Sequence, residues 1–242
     1  MPPSFEYNTD ILEHFPDVRG GVIHATGLVN RPSPRALVNA YEREQAEVRD
    51  TIADSPLSEI PSLAAWRRVF SAFGVKPTQY RSAAESLLRR LTKKGDIPSI
   101  NALVDIANLV SIRYRLPVAV FDQSQVSGGT TVRFADGSER FTDLGSDFVS
   151  HPETGEVIFV DEEGLVSARR WCWRQSDQSA AGPTTVEALI TVEGHHDEAE
   201  EDVRQATGDL VELLAVHQPD SEVTHDLLSS ASPRFDSSSG VG

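Results

Sequence analysis

The stretch GDIPSINALVDIANLVSIRYRLPVAVFD, residues 95–122, decides how the chain is read. Gly95 closes one helix, Pro98 turns the chain, and the spacing predicts a second helix over residues 99–114. That helix sets Asn101, Asp105 and Asn108 on one face, at intervals of four and three residues, and turns Leu103, Ile106 and Val110 to the other. A helix of this kind buries one stripe and offers amides to a pocket. Without a pocket beside them, the same three polar residues would be a solvated face with ordinary caps. Beyond Pro117 the period shortens to two, so residues 118–121 read as a strand.

Upstream, residues 81–91 read as a helix that buries Leu87, Leu88 and Leu91, with Arg89, Arg90, Lys93 and Lys94 gathered near its C-terminal end, where cations favour the helix dipole. Before it, Leu63, Trp66, Phe70 and Phe73 form an apolar stripe closed by Gly74, and Ser33-Pro34 opens a helix over residues 34–52. Residues 19–30 carry the β-branched and apolar content of a strand, with Gly20-Gly21 as the turn before it. Downstream, strands are expected at 130–134, 139–141, 157–160, 165–173 and 186–192, with a hairpin turn at Asp136-Gly137. Trp171 and Trp173 alternate with Cys172 and so should point to one side of their strand. Ala199, Val203, Ala206, Leu210 and Leu213 share one face of a last helix over 197–216, and the Ser-rich stretch after His217 has the composition of a disordered tail. Helices running into strands give an α+β class.

The chain of 242 residues, 39% hydrophobic and 24% charged, can bury one sizeable core or two small ones. No apolar run approaches the roughly 20 residues that span a bilayer, and the start MPPSFEYNTD has neither a basic leader nor an apolar signal core, so a cytoplasmic protein without membrane partners is expected. Cys172 is the single cysteine, which excludes an intramolecular disulfide and leaves it as a small packed residue. Walker, GxGxxG, GxSxG and HExxH patterns are absent, so no cofactor is expected. No metal is expected either, because His195-His196 lacks a second ligand pair at useful spacing.

A formal net charge of −15 argues against nucleic acid, but the charge is unevenly spread. Residues 195–242 hold eleven acids against two arginines, a net of −9, whereas residues 66–94 hold eight cations against Glu85, a net of +7. A basic patch therefore sits inside an acidic average. It is either a solvated cationic face or a grip on phosphates.

The helix, proline loop and strand of residues 95–122 resemble the core of the B3/B4 domain of the bacterial phenylalanyl-tRNA synthetase beta subunit, where a similar helix runs through a proline-containing loop into a strand ending Phe-Asp. The resemblance is sharp there and looser over residues 19–194. It implies a layered B3/B4-like fold with a mixed β-sheet core and flanking helices: a domain over residues 1–194, an acidic helix at 195–216 packed on it, and a tail at 217–242. In that family the domain hydrolyses mischarged tRNA, and its pocket accepts a wrongly attached tyrosine. The resemblance assigns Asn108 to the amino-acid pocket. It also sets Ala119 where the family carries a histidine, an imidazole suited to holding water near neutral pH. Glu193, in LITVEG, resembles the family glutamate that closes the pocket and reads a substrate hydroxyl. Trp173, Arg174 and Gln175 stand where the family has a Gly-rich turn and would reshape the pocket.

Two functions follow from the resemblance. One is trans-acting editing by a stand-alone domain, with Asn108 and Glu193 binding the amino acid and Arg89, Arg90, Lys93 and Lys94 holding the acceptor end of tRNA; the resemblance assigns no catalytic residue. The other is a non-catalytic module for an amino acid, a small metabolite or tRNA, which the missing histidine favours.

Overall fold

A computed structural model describes residues 3–52 and 56–237. The chain opens with β1 (Ser4–Tyr7), α1 (Thr9–His14) and β2 (Arg19–Thr26), then runs through α2 (Arg35–Ile52), α3 (Pro61–Ala72), α4 (Ala83–Lys94) and α5 (Ala102–Tyr114). Strands dominate next: β3 (Val118–Asp122), β4 (Thr130–Phe134), β5 (Phe141–Thr142), β6 (Val149–Ser150), β7 (Val157–Val160), β8 (Val166–Arg169), β9 (Arg174–Gln175) and β10 (Glu187–Gly194). Helix α6 (Ala199–His217) and strands β11 (Glu222–Leu228) and β12 (Arg234–Asp236) complete it.

Strand alternation sorts these elements into layers. Along β10, Ala188, Ile190 and Val192 join a core shared with α2, α4, α5 and α6, while Leu189 joins a core shared with Phe5, Val132 and Phe159. The middle layer is thus the antiparallel sheet β11-β2-β10-β3, with helices on one face. On the other lies the sheet β12-β1-β4-β7-β8-β9, mixed because β1 and β4 run parallel while the remaining pairs are antiparallel. The architecture is α+β, as the periodicity indicates.

Helix α5 does not have a buried face and an amide-bearing face. Asp105 is fully buried along with Leu103, Ile106 and Val110, because α2, α6 and the middle sheet surround the helix. Its carboxylate accepts from the hydroxyls of Ser33 and Ser99 and from the Ile100 backbone N–H at 2.8 Å, so it ties the loops before α2 and α5 together. Asn101 caps the helix by accepting from the Val104 N–H at 3.0 Å, and its amide donates to the Ala181 carbonyl. Arg113 at the other end reaches Glu44 of α2 and Asp209 of α6.

Several expectations are corrected. Gly20-Gly21 is no turn but the start of β2, where a β-carbon on Gly20 would lie 2.3 Å from the Tyr7 hydroxyl and one on Gly21 2.0 Å from Thr207 Oγ1. Asp136-Gly137 does not join a hairpin, since β4 pairs with β1 and β7 and β5 pairs with β6. The tail expected to be disordered supplies two strands: β11 extends the middle sheet beside β2, and β12 pairs with β1. Residues 238–242 lie outside the described residues. Helix α6 packs on β2 and β10, and the middle sheet continues beyond it into β11. A Ser-rich composition is a poor guide here, since an edge strand is held by backbone hydrogen bonds that do not depend on side chains.

Asp105→Ala removes an acceptor from three donors at a site without solvent. Unfolding by urea should show a loss of roughly 2 to 4 kcal/mol, with the folded far-ultraviolet spectrum retained.

Candidate functional site

Between the two sheets lies a hollow of about 80 Å³. The period of two that sends Ile190 and Val192 to the helices sends Thr191 and Glu193 of β10 and Ala119 and Phe121 of β3 to the hollow. Phe159 and Ala168 line it from the six-stranded sheet, and the turn after β8 closes it with Trp171, Cys172 and Trp173, followed by Arg174 and Gln175. Five of the six residues assigned to the pocket from the sequence, Ala119, Trp173, Arg174, Gln175 and Glu193, therefore line one cavity.

Asn108 does not line it. It lies near the hydroxyl of Tyr41 on α2, where its amide works against the burial that raises the tyrosine pKa, with Asp105 adding to the rise. The spacing places Asn108 correctly on α5, but the middle sheet separates that helix from the hollow, so its polar face meets another helix.

Glu193 is the one acid in the hollow, and it is 2% exposed. Tyr7 Oη donates to its Oε1 at 2.7 Å and Trp171 Nε1 donates to the same oxygen at 3.0 Å. Oε2 is left without a partner among the described residues. Burial pushes the carboxyl up to about 7, against the lowering effect of the Trp171 and Tyr7 hydrogen bonds. Tyr7, which the sequence does not single out, is delivered by β1 and passes over Gly20, the residue paired with Glu193 across β2 and β10. A glycine at the acid's partner position is the available signal.

Alternation predicts one strand through residues 165–173, with both tryptophans on one side. Instead β8 ends at Arg169, and Arg170 and Trp171 take left-handed backbone at φ 45° and 60°. Trp171 turns inward to Glu193, while Trp173 lies beside the Arg170 and Arg174 guanidinium groups, 4.7 and 4.5 Å from its ring centre. Such backbone costs about 1–3 kcal/mol per residue and persists only where the surroundings over-determine it. Here Trp171 N–H donates to the Val157 carbonyl at 2.7 Å, and Ala83 N–H donates to the Cys172 carbonyl at 2.8 Å, pinning the turn to β7 and to the start of α4. Arg174 pairs with Asp143 at 2.9 Å, and Gln175 Nε2 donates to the carbonyls of Val120 and Ser179, each at 2.7 Å. The Cys172 thiol is held well above its ordinary pKa by burial, with the Glu193 charge adding to the effect.

Of the basic residues, Arg90, Lys93 and Lys94 are exposed on α4 and Arg89 is half-buried. Arg67 and Arg81 belong less to the patch than to Glu85, a buried acid that Arg67 holds through two hydrogen bonds of 2.9 and 2.6 Å. His195 packs edge-on between Trp66 and Trp171, and burial lowers its pKa to about 3, with His196 and Arg19 contributing. Its neighbour His196 has Nε2 2.8 Å from Asp202. No group of three or more His, Cys, Asp or Glu among the described residues is arranged to hold a metal ion. Likewise, no helix among them is long and apolar enough to cross a membrane.

The chain is thus a layered α+β body with a buried acid lining an inter-sheet hollow. A sequence profile of the B3/4 domain matches residues 65–209, and the chain belongs to that family. The phenylalanine–tRNA ligase beta subunit of Shewanella oneidensis is 30% identical over 94 residues, 39% of this chain and 12% of that subunit. That of Aliivibrio fischeri is 26% identical over 148 residues, 61% of this chain and 18% of that subunit. The chain thus matches under a fifth of the length of these relatives. A solved N-terminal fragment of the phenylalanyl-tRNA synthetase beta subunit from Pyrococcus horikoshii aligns over 91% of this chain and 50% of its own, at 14% identity and a TM-score of 0.48.

The raised Glu193 pKa has a signed consequence. A folded value of about 7 against an ordinary 4.5 means stability that is complete below pH 4.5 and is lost as pH rises through 7. Glu193→Gln keeps an acceptor for Tyr7 and Trp171 but carries no charge, so between pH 4.5 and 8.5 it should gain roughly 3 kcal/mol relative to the natural protein. Urea unfolding of both proteins across that range checks it; a pH-independent difference would mean that the acid is not held in a dry site.

Proposed function

We propose that the chain hydrolyses, in trans, the ester of a mischarged aminoacyl-tRNA. The reading rests on one observation above others: Glu193, with both of its donors on one carboxyl oxygen, lines a hollow otherwise lined mostly by apolar side chains, in a member of the B3/4 family. Such a floor holds an amino-acid side chain through one polar contact. The relatives' own name, a tRNA ligase subunit, supports tRNA as the carrier of that amino acid. On this reading Trp173, Arg174 and Gln175 form the wall, and the protein acts in the cytoplasm.

The cations of α4 suit a backbone grip. Ala83, at the start of α4, lines the hollow, and a rise of about 1.5 Å per residue puts Arg89, Arg90, Lys93 and Lys94 roughly 9 to 17 Å along the helix from it. An acceptor end could lay its phosphates on that stretch while its terminal ester enters the hollow. Among the lining residues, the Cys172 thiol stays protonated, because burial holds its pKa well above the ordinary value. With Ala119 in place of a histidine, water would be positioned by the pocket and activated by the RNA's own vicinal hydroxyl.

The missing histidine favours a second reading, a module that binds an amino acid or tRNA without turnover. Deacylation of preformed mischarged tRNAs separates the two. The editing reading expects cleavage above the buffer rate for at least one amino acid, and rates equal to buffer for all of them would eliminate it. The binding reading expects ligand-induced thermal stabilisation that Glu193→Ala removes, with no ester cleaved. In either case Arg90→Glu, Lys93→Glu and Lys94→Glu should each weaken tRNA binding and flatten its salt dependence, by about one unit of logarithmic slope for every phosphate no longer neutralised.

A further inference from the structure

We infer that the hollow selects a short side chain ending in a hydroxyl, serine or threonine, and rejects an aromatic one. The inference rests on the amino-acid pocket proposed above and narrows what enters it. Three observations carry it: the size of the hollow, the rigidity of its walls and the chemistry of its floor.

The hollow is partly open and has a volume of about 80 Å³. A cavity that admits a benzene ring is about 150 Å³, so a phenyl or phenol group does not fit without the walls moving. The walls are fastened. Gln175 has its amide committed to two carbonyls from different segments, those of Val120 and Ser179. Trp173 has Arg170 and Arg174 against its ring and Tyr80 edge-on at 4.9 Å. The turn carrying both tryptophans is tied to β7 and to the start of α4. Widening the hollow would break several of these interactions at once.

The floor asks for a donor. Tyr7 and Trp171 both hold Oε1 of Glu193, leaving Oε2 as the acceptor that faces the ligand. A serine or threonine hydroxyl satisfies it, and the threonine methyl meets the apolar lining formed by Phe121, Phe159 and Ala119. Alanine would leave the acid unpaired, and a carboxylate side chain would repel it. Sites built around a buried polar contact discriminate far more strongly than apolar slots of the same size.

The test charges one tRNA in vitro with serine, threonine, alanine, phenylalanine or tyrosine and compares cleavage rates. Serine and threonine esters should be cleaved at least about tenfold faster than the other three. Glu193→Ala, which removes Oε2 with the rest of the carboxyl, should bring serine and threonine to within about threefold of alanine. Tyrosine or phenylalanine cleaved fastest would overturn the inference while sustaining the editing reading. If no ester is cleaved, the editing reading fails, and free amino acids decide the selectivity. Thermal stabilisation by L-threonine or L-serine but not by L-tyrosine upholds it; stabilisation by L-tyrosine, or by none of them, sinks it.

Discussion

The carboxyl of Glu193, buried between two sheets and held on one oxygen by donors from strand β1 and from the turn after β8, is the constraint around which the molecule is arranged. A buried acid is unfavourable, and it is tolerated here because the Tyr7 hydroxyl and the Trp171 indole offset part of the desolvation. Each donor imposes a local cost. Gly20 has no side chain so that Tyr7 can pass over β2, and Trp171 reaches inward only because the backbone at 170–171 goes left-handed. The second carboxyl oxygen is left without a donor among the described residues.

The helical layer works differently. Its central acid, Asp105, is committed to structure: two hydroxyls and a backbone N–H converge on it, and it joins the loops that start α2 and α5. Two buried carboxylates thus lie on opposite sides of the middle sheet with opposite fates, one satisfied by three donors and one left half-free. This difference in hydrogen bonding sets the two acids apart more clearly than burial does, since both are almost completely enclosed.

Periodicity identified α2, α3, α4, α5 and α6 and most of the strands, because apolar residues recurring every three to four or every two positions are direct consequences of helix and strand geometry. It failed where tertiary contacts override local pattern. The short strand β1 has no signal beyond SFEY, yet pairing on both edges makes it a member of the larger sheet. The residues after 217 look unstructured by composition but gain order by completing two sheet edges. Residues 170–173 look like a continuing strand until the need to cap the hollow turns them.

By itself, the sequence determined the α+β class and the helix-to-strand passage of residues 95–122, which follow from local spacing, while Ala119, Trp173, Arg174, Gln175 and Glu193 were nominated only through the family resemblance. Only the tertiary structure decided that Asn108 meets Tyr41 across the sheet from those five, that Tyr7 joins Glu193 from 186 residues away, and that Arg67 and Arg81 are occupied by Glu85. The reason is physical: which face of a helix meets a cavity, and which charges find one another, depend on how layers stack. Stacking is fixed by the packing of the whole core and not by any segment's own periodicity.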